Sequence, residues 1–344
     1  MSTIADVAAA AGVSKATVSR VLSGNTPYLR AETRQRVEQA IAELAFRPSS
    51  VARSLTSKRT YTVGMLISDV SNPFYADVIH GVEDIGLSAG YNIFLCNTNY
   101  DLQRGQALVH SLIDRRVDGV LIMSSTMSAD WLEELARHTV PVVVVDWNVK
   151  AARQNLSAIR VDFRPGIQAA VAHLIELGHR RFAHISGPLQ LPTSRVRRDA
   201  FLHALAEFGI AANKVPVIES DFHVDGGRAA VQHVLNLRQP PTAIFAANDL
   251  MAMGVVAEAR TLGLKVPADL SVVGLDDIWQ AAQTEPPLTT VALPRYEIGS
   301  LAMQLLLDWL KRAPGQTAAP VIARVETHLV LRGSTAALKS IRAR

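Results

Sequence analysis

From Thr62 onward the chain alternates short apolar runs with amphipathic stretches, and this alternation constrains the fold more than any other feature. Strands whose sequence is almost continuously apolar, with helical segments between them, are typical of parallel sheets covered by helices on both sides. Eight such runs are more than one compact sheet of this kind normally takes, so we predict two doubly wound α/β lobes. The predicted strands are Val63–Ile67, Asn92–Cys96, Gly119–Met123, Val142–Val145, Phe182–Ile185, Val215–Ile218, Ala243–Ala246 and Ser271–Gly274.

Polar and aromatic side chains follow several of these predicted strands. Ligands of such sheets bind beyond the carboxyl ends of the strands, and two lobes place that crevice between them. Carboxylates, amides, an arginine and aromatic faces suit a polyhydroxylated ligand, because bidentate polar groups meet vicinal hydroxyls and aromatic planes cover the ring. Each residue also has a simpler interpretation, as a helix cap or a core side chain. The candidate ligand-binding residues are Asn72, Phe74, Asp146, Trp147, Arg197, Phe222, Asn248 and Asp276.

The first 60 residues differ from the rest of the chain in charge. They hold nine Lys and Arg against four Asp and Glu, a net charge of +5. The whole chain holds 35 against 31, a net charge of +4, so the remainder sums to −1. A basic segment on a near-neutral body is the electrostatic pattern of a nucleic-acid-binding head.

This basic segment also has the spacing of a helix-turn-helix. Thr3 and Asp6 form a capping box that opens a first helix, and Gly12 ends it. A second helix, Lys15–Leu22, follows so closely that the two must cross steeply. A third helix, Ala31–Ala45, supplies the floor of a small core. The pattern predicts an all-α helix-turn-helix headpiece.

The outward side of the second helix carries short or basic residues, which suit a DNA groove. We add two residues at the ends of this helix to the predicted DNA contacts. Ser14 caps the helix, and Asn25 follows it. A helical hairpin with no role in DNA binding is the alternative. The headpiece residues predicted to contact DNA are Ser14, Lys15, Ala16, Thr17, Ser19, Arg20 and Asn25.

The segment after the headpiece predicts a short helix that is stable only against a partner. Pro48 blocks the preceding helix, and Ser50–Leu55 is too short to stay helical alone in water. If two copies meet on DNA, Leu55 is an apolar wedge for a minor-groove base step, with Arg53 and Lys58 near phosphates. The alternative is a plain tether.

Signatures of catalysis, export and membrane insertion are missing from the sequence. No nucleophile elbow, P-loop, HExxH or GxGxxG motif is found, and the histidines have no metal-ligand spacing, so we expect neither an enzyme nor a cofactor. The single cysteine, Cys96, excludes an internal disulfide and fits a reducing cytoplasm. The N-terminus lacks a secretory signal, and no apolar run reaches the roughly 18 residues of a membrane helix, so we expect a soluble, cytoplasmic protein.

Over essentially its full length the chain resembles the lactose-repressor family of bacterial transcription regulators. Residues 3–22 look like the family's headpiece and residues 47–55 like its hinge helix. The resemblance implies a homodimer that binds a palindromic operator. It also implies a periplasmic-binding-protein-like core whose ligand changes the relation between the two headpieces. The segments that look like the family's core motifs are 72–75, 116–119, 247–252, 272–277 and 287–290.

Carried over position by position, the resemblance implies roles for single residues. Lys15, Ala16 and Arg20 match base-reading positions, and Leu55 matches the intercalating leucine of the hinge. Apart from Asn72, every candidate ligand-binding residue matches an effector contact of the family.

Within the family, the chain looks most similar to ribose and purine repressors. The combination of Asn248 with Asp276 favours a sugar over a purine. Leu293 stands where ribose and lactose repressors usually have a sugar-contacting glutamine, which argues against ribose.

We therefore predict a headpiece at residues 1–46, a hinge helix and linker at 47–60, a two-lobed effector-binding and dimerisation core at 61–332 and a short basic tail at 333–344. The tail has no leucine heptads, so a dimer is the expected limit. The predicted function is a DNA-binding repressor whose operator affinity is controlled by a small polar effector, a sugar or sugar derivative. The alternative is a cytoplasmic sugar-binding or sugar-modifying protein with an incidental basic extension.

Overall fold

The computed structural model describes residues 2–22, 29–47, 59–146, 155–312 and 321–338. The chain divides into two compact units, Met1–Tyr61 and Thr62–Arg344. Among the described residues, the helices are too short or too polar to cross a membrane.

The first unit is a three-helix domain made of α1 (Ile4–Ala11), α2 (Lys15–Leu22) and α3 (Ala31–Glu43). The Thr3 backbone N–H donates to the Asp6 carboxylate at 2.7 Å, and Thr3 Oγ1 accepts from the Asp6 backbone, which completes the capping box. Gly12 then turns the chain with a φ of 64°, in the left-handed region that favours glycine. The predicted helix-turn-helix fold is confirmed. Its buried core consists of Val7, Ala8, Ala11, Val18, Val37 and Ala40.

The second unit contains two lobes, each built on a six-stranded sheet. The strands of the first lobe are β1 (Thr62–Ile67), β2 (Asn92–Asn97), β3 (Gly119–Met123), β4 (Val142–Val145), β5 (Leu156–Asp162) and β11 (Ile322–Glu326). Their order is β11-β5-β4-β3-β1-β2, and all neighbours are parallel. The helices of this lobe are α4 (Phe74–Ser88), α5 (Leu102–Asp114), α6 (Ala129–Arg137) and α11 (Arg295–Leu310).

The second lobe repeats this architecture. Its strands are β6 (Phe182–Ser186), β7 (Val217–Glu219), β8 (Ala243–Ala246), β9 (Ser271–Asp276), β10 (Thr289–Ala292) and β12 (His328–Val330). Their order is β12-β10-β9-β8-β6-β7, and only β12 runs antiparallel to its neighbour. The helices are α7 (Arg164–Glu176), α8 (Pro192–Glu207), α9 (Val224–Leu235) and α10 (Asp249–Thr261). The prediction of two doubly wound lobes is confirmed.

The chain passes between the lobes after β5, after β10 and after β11. Thr327 alone separates β11 from β12, so a single residue makes the last crossing. Its hydroxyl donates to the Asp162 carbonyl at 3.0 Å and accepts from the Gly166 N–H at 3.2 Å. Asp162 ends β5 and Gly166 lies in α7, so Thr327 ties the third crossing to the first.

Two glycines allow α4 and α11 to pack backbone against backbone in the first lobe. A Cβ atom at Gly81 would lie 2.2 Å from the carbonyl oxygen of Tyr296, and one at Gly299 would lie 2.0 Å from that of Val78. A larger residue would push the helices apart. This packing fixes the position of α4, whose first residue is the candidate ligand-binding residue Phe74.

The sequence patterns do not predict β5, β10, β11 or β12. Ser157 and Arg160 interrupt the apolar run of β5, and exposed residues alternate with half-buried ones along the edge strand β11. In β10, Thr289 and Thr290 are fully buried because their polar groups find partners. The predicted strand Val215–Ile218 forms two residues later, as β7.

Residues 333–338, which the sequence assigns to the tail, contact the second lobe. Val272 donates its N–H to the Ser334 carbonyl at 2.9 Å, and Thr289 donates its N–H to the Ser334 hydroxyl at 2.8 Å. The N–H of Leu338 donates to the Leu177 carbonyl at 2.8 Å. This part of the tail is therefore packed against β9, β10 and α7.

Candidate functional site

A cavity of about 60 Å³ lies between the two lobes, at the carboxyl ends of their strands. Seven of the eight candidate ligand-binding residues line it, and the eighth, Trp147, lies outside the described residues. Because strands of one parallel sheet end at the same edge, residues far apart in the sequence meet here. The seven are Asn72, Phe74, Asp146, Arg197, Phe222, Asn248 and Asp276.

Arg197 and Asp276 form the polar centre of this cavity. Arg197 Nη1 donates to the Ala247 carbonyl at 2.6 Å, and Arg197 Nη2 lies 3.5 Å from Asp276 Oδ1. The guanidinium lies over the Phe163 ring, 4.9 Å from its centroid. Within the described residues, Arg197 Nε and Asp276 Oδ1 are buried without a hydrogen-bond partner. A hydroxyl group can accept from the first atom and donate to the second, so this pair is suited to a hydroxylated ligand.

Burial raises the pKa of both carboxyl groups in the cavity. The pKa of Asp146 rises to about 6 through burial, although Arg197 and the Thr193 hydroxyl oppose the shift. Burial raises the pKa of Asp276 to about 7 against the opposing charge of Arg197. Near neutral pH both groups can therefore gain or lose a proton. Thr193 of α8 donates to Asp146 Oδ2 at 3.0 Å, and this bond joins the two lobes.

Aromatic rings cover the cavity from both lobes. The Tyr100 ring, in the loop after β2, stacks on the Phe222 ring, in the loop after β7, with centroids 6.0 Å apart and planes inclined by 21°. Phe74 meets Tyr75 edge to face at 5.2 Å. Asn248 holds the Phe222 loop, because its Nδ2 donates to the Phe222 carbonyl at 2.8 Å. Asn248 Oδ1 also accepts from the Met251 N–H at 2.9 Å, so this residue lines the cavity and caps α10.

Left-handed backbone conformations cluster at the cavity. The φ angle is 56° at Asp146, 70° at Phe222, 121° at Asp276 and 57° at Asp277. Such conformations cost on the order of 1–3 kcal/mol each and persist only where surrounding contacts hold them. Arg332 provides one such contact, a 2.6 Å ion pair with Asp277. The strain is consistent with a site in which side-chain direction has a function.

Several lining residues are not among the predicted ones. Tyr100, Ser124 and Thr193 line the cavity, and so does Leu293. Ser124 follows β3 directly and Tyr100 is the third residue after β2, so a search of the residues just beyond each strand could have found them. Thr193 follows no strand closely, and only its contact with Asp146 reveals it.

The predicted DNA-contacting residues of the headpiece lie on one exposed helix. Lys15, Ala16, Ser19 and Arg20 are exposed on α2, and Thr17 is half-buried. Ser14 Oγ accepts from the Thr17 N–H at 3.2 Å, so it caps this helix. Asn25, Arg53 and Leu55 lie outside the described residues.

Comparisons with known proteins define the class. Residues 3–49 match the model of bacterial regulatory proteins of the lacI family, and residues 171–335 match the periplasmic binding protein-like domain. Catabolite control protein A of Priestia megaterium is 37% identical over 97% of this chain and 99% of its own length. The HTH-type transcriptional repressor PurR of Edwardsiella ictaluri is 39% identical over 92% of this chain and 93% of its own length.

Solved structures agree. The Lac repressor dimer bound to operator and the anti-inducer ONPF has a TM-score of 0.86 at 29% identity, covering 98% of this chain and 99% of that one. The CelR–cellobiose complex has a TM-score of 0.72 at 32% identity, covering 97% and 100%. Fold and site together define a DNA-binding regulator with a ligand-binding core. The chain belongs to the LacI family of bacterial regulatory proteins. It is a transcription regulator and not an enzyme, and residues 3–49 match the family's regulatory domain, so the alternative of a sugar-binding or sugar-modifying protein with an incidental basic extension is wrong.

Proposed function

We propose that this protein is a cytoplasmic, dimeric repressor whose affinity for a palindromic operator changes when a neutral polyhydroxylated effector binds between its lobes. The observation that carries the proposal lies at the polar centre of the cavity, where Arg197 Nε and Asp276 Oδ1 are buried without a hydrogen bond within the described residues, the carboxylate oxygen having only the 3.5 Å ion contact with Arg197 Nη2. One is a donor and the other an acceptor, which is the complement of a hydroxyl group. Related proteins support a sugar, since CelR binds cellobiose and a regulator from Enterococcus faecium binds ribose.

The charge of the cavity favours a neutral effector. Among the described residues that line it, the carboxyl groups of Asp146 and Asp276 face a single guanidinium, that of Arg197. Arg197 is already shared between Asp276 and the Ala247 carbonyl. When both carboxyl groups are ionised, a sugar acid or sugar phosphate would bring a further negative charge into a buried site without a free cation among these residues, and burying such a charge is costly.

An exposed apolar edge supports the dimer. Phe94 and Leu95 lie on β2, the outermost strand of the first sheet, and their side chains are exposed. Exposed apolar residues on an edge strand are a liability unless another chain covers them. The Lac repressor structure with operator is a dimer, and we propose the same assembly for this protein.

Operator binding is the first test. A gel-shift titration with DNA from upstream of the protein's own gene should show specific binding that weakens steeply with salt, because phosphate contacts release counterions. The fragment of residues 62–344, which is a compact unit, should not bind. Operator binding by that fragment would contradict the headpiece assignment.

The effector is tested by a thermal-shift screen of sugars, sugar acids and nucleobases. Compounds that raise the melting temperature are then added to the gel-shift assay. The proposal requires that a neutral hydroxylated compound both stabilises the protein and changes its operator affinity. A response limited to sugar acids would contradict the charge argument.

The hinge is tested by Leu55→Ala. If Leu55 wedges a base step, the variant should lose specific operator affinity on the order of a few kcal/mol, with effector binding intact. Unchanged specific affinity would mean that residues 49–58 act only as a tether.

A further inference from the structure

The stack of Tyr100 on Phe222 bears on which effectors the cavity can admit. Tyr100 belongs to the first lobe and Phe222 to the second, and both rings line the cavity. The two rings, with centroids 6.0 Å apart and planes inclined by 21°, narrow the crevice at this point. The remaining volume of about 60 Å³ is small beside the roughly 300–1,000 Å³ of typical ligand pockets.

The two rings are held very differently. Phe222 is 5% exposed, and its ring fills the space in front of Gly187, where a Cβ atom would lie 2.0 Å from Phe222 Cζ. Asn248 donates a hydrogen bond to the Phe222 carbonyl. The backbone N–H of the next residue, His223, donates to Asp221 Oδ1 at 2.9 Å. Phe222 is therefore a fixed platform that can change neither position nor rotamer without disturbing its loop.

Tyr100 is fixed through its backbone, and within the described residues its hydroxyl group makes no hydrogen bond. It has a φ of 55°, and the next residue, Asp101, caps α5 by accepting from the Arg104 N–H at 2.9 Å. Among the described residues, the Tyr100 ring stacks on Phe222, and the Tyr100 side chain is half-buried. A rotation of this side chain, or a separation of the lobes, would uncover the face of Phe222 without breaking the core of either lobe.

We propose that Tyr100 is a specificity-determining residue that occupies the ring position on Phe222 when no effector is bound. An effector with a ring reaches that position only by displacing Tyr100, so stacking on Phe222 must compete with an internal partner. Small effectors without a ring gain no binding free energy from stacking on Phe222. The inference rests on the proposed function in one respect, namely that this crevice is the effector site.

Cavity complementation tests the competition without knowledge of the effector or the operator. Tyr100→Ala removes the ring and hydroxyl and leaves Cβ, so the missing part is phenol. Millimolar phenol should raise the melting temperature of Tyr100→Ala and leave that of the wild-type protein unchanged, because phenol can replace the lost ring against the face of Phe222 and carries the same hydroxyl group. Tyr100→Phe keeps the ring and should behave as the wild type does.

The control is Tyr296→Ala, which removes a tyrosine that is 47% exposed and lies away from the cavity. Phenol should not stabilise it. If phenol raises the melting temperatures of the wild type and of Tyr100→Ala equally, the Phe222 face is already open in the wild type. If Tyr100→Ala is folded and phenol does not change its melting temperature, Tyr100 does not occupy the ring position. Either result overturns the inference. If Tyr100→Ala does not fold, as judged by circular dichroism, Tyr100→Gly takes its place with 4-methylphenol as the matching probe, because glycine adopts the φ of 55° at this position without strain.

The same samples separate this inference from the proposed function. A positive phenol result with no effect of any screened compound on operator binding would contradict effector control and leave the role of Tyr100 intact. If phenol does not stabilise Tyr100→Ala but a sugar changes operator binding, the role of Tyr100 is contradicted and effector control is supported.

Discussion

Arg295, the first residue of α11, joins Asp77 of α4 to the turn that carries Asp276. Its Nε and Nη2 donate to Asp77 Oδ2 at 2.9 and 2.7 Å, and its Nη1 donates to the carbonyl oxygens of Asp276 and Asp277. Arg295 lies directly after the second crossing between the lobes. One guanidinium therefore fixes the strained end of β9 relative to the helix that begins at Phe74.

Arg295→Met should destabilise the core by about 1–3 kcal/mol, because the carbonyls of Asp276 and Asp277 lose their donor and Asp77 loses its ion pair. Denaturant unfolding of the fragment of residues 62–344 measures this. Asp77→Asn should cost less, since Asp77 is 47% exposed in its side chain. If the two substitutions are strictly additive in the double variant, the bridge carries no coupling energy and the interpretation fails.

Arg197→Ala should abolish the response of operator binding to the effector and leave operator affinity itself within about twofold, because the ligand hydroxyl loses its donor and the headpiece is untouched. Gel shifts with and without the compound from the screen measure both quantities. The control is Arg195→Ala, which removes the same charge from an exposed position on the same helix, α8. A response retained in Arg197→Ala would place the effector elsewhere.

The stability of the core should depend on pH through Asp276. Its pKa in the folded protein, about 7, lies above the ordinary value of 3.8, so ionisation costs the folded state free energy. The stabilisation from the bound proton is complete below about pH 4 and is lost as the pH rises through about 7. Asp276→Asn cannot ionise, so its stability relative to the wild type should increase between about pH 5 and 8, on the order of a few kcal/mol.

Denaturant unfolding at about pH 5 and pH 8 measures the difference in stability between Asp276→Asn and the wild type. The control is Asp114→Asn, an exposed carboxylate at the end of α5 that does not line the cavity. The change in relative stability between about pH 5 and pH 8 should be larger for Asp276→Asn than for this control, because Asp276 is buried and Asp114 is exposed. A pH-independent difference for Asp276→Asn would mean that the carboxyl group is not desolvated as the structure indicates.

Ribose should bind weakly, because Leu293 is 5% exposed, lines the cavity and offers no hydrogen bond. Leu293→Gln should increase ribose affinity by about twofold to tenfold, the worth of one hydrogen bond. Isothermal calorimetry measures both proteins. Micromolar binding of ribose by the wild type would refute the inference from Leu293.

The sequence predicts best those features that local rules govern. The capping box at Thr3, the turn at Gly12 and the second helix from Lys15 depend on neighbouring residues, and the structure reproduces them. The seven cavity residues are found because the carboxyl end of a parallel strand marks both a chain position and a place in space.

Features that depend on distant partners escape such rules. Arg295 and Asp77 are 218 positions apart, and neither has a local pattern that announces the bridge. β11 lies at a sheet edge, where half-exposed side chains remove the apolar run that identifies inner strands. Tyr100 follows a strand as Asp146 does, but an aromatic residue there is as compatible with a core as with a site until its partner Phe222 is known.

The crossing at Thr327 has a consequence for how such a protein can be rearranged by recombination. The headpiece is one continuous stretch of chain, so a single exchange of gene segments can replace it. The lobes are interleaved, and the strands on either side of Thr327 complete the outer edge of both sheets at once. A nonsense mutation before Ile322 would leave both sheets unfinished, and a gene fusion cannot transfer one lobe without the other. One exchange at the headpiece boundary can therefore join a headpiece to a different complete core, whereas a new combination of single lobes cannot be acquired in this way.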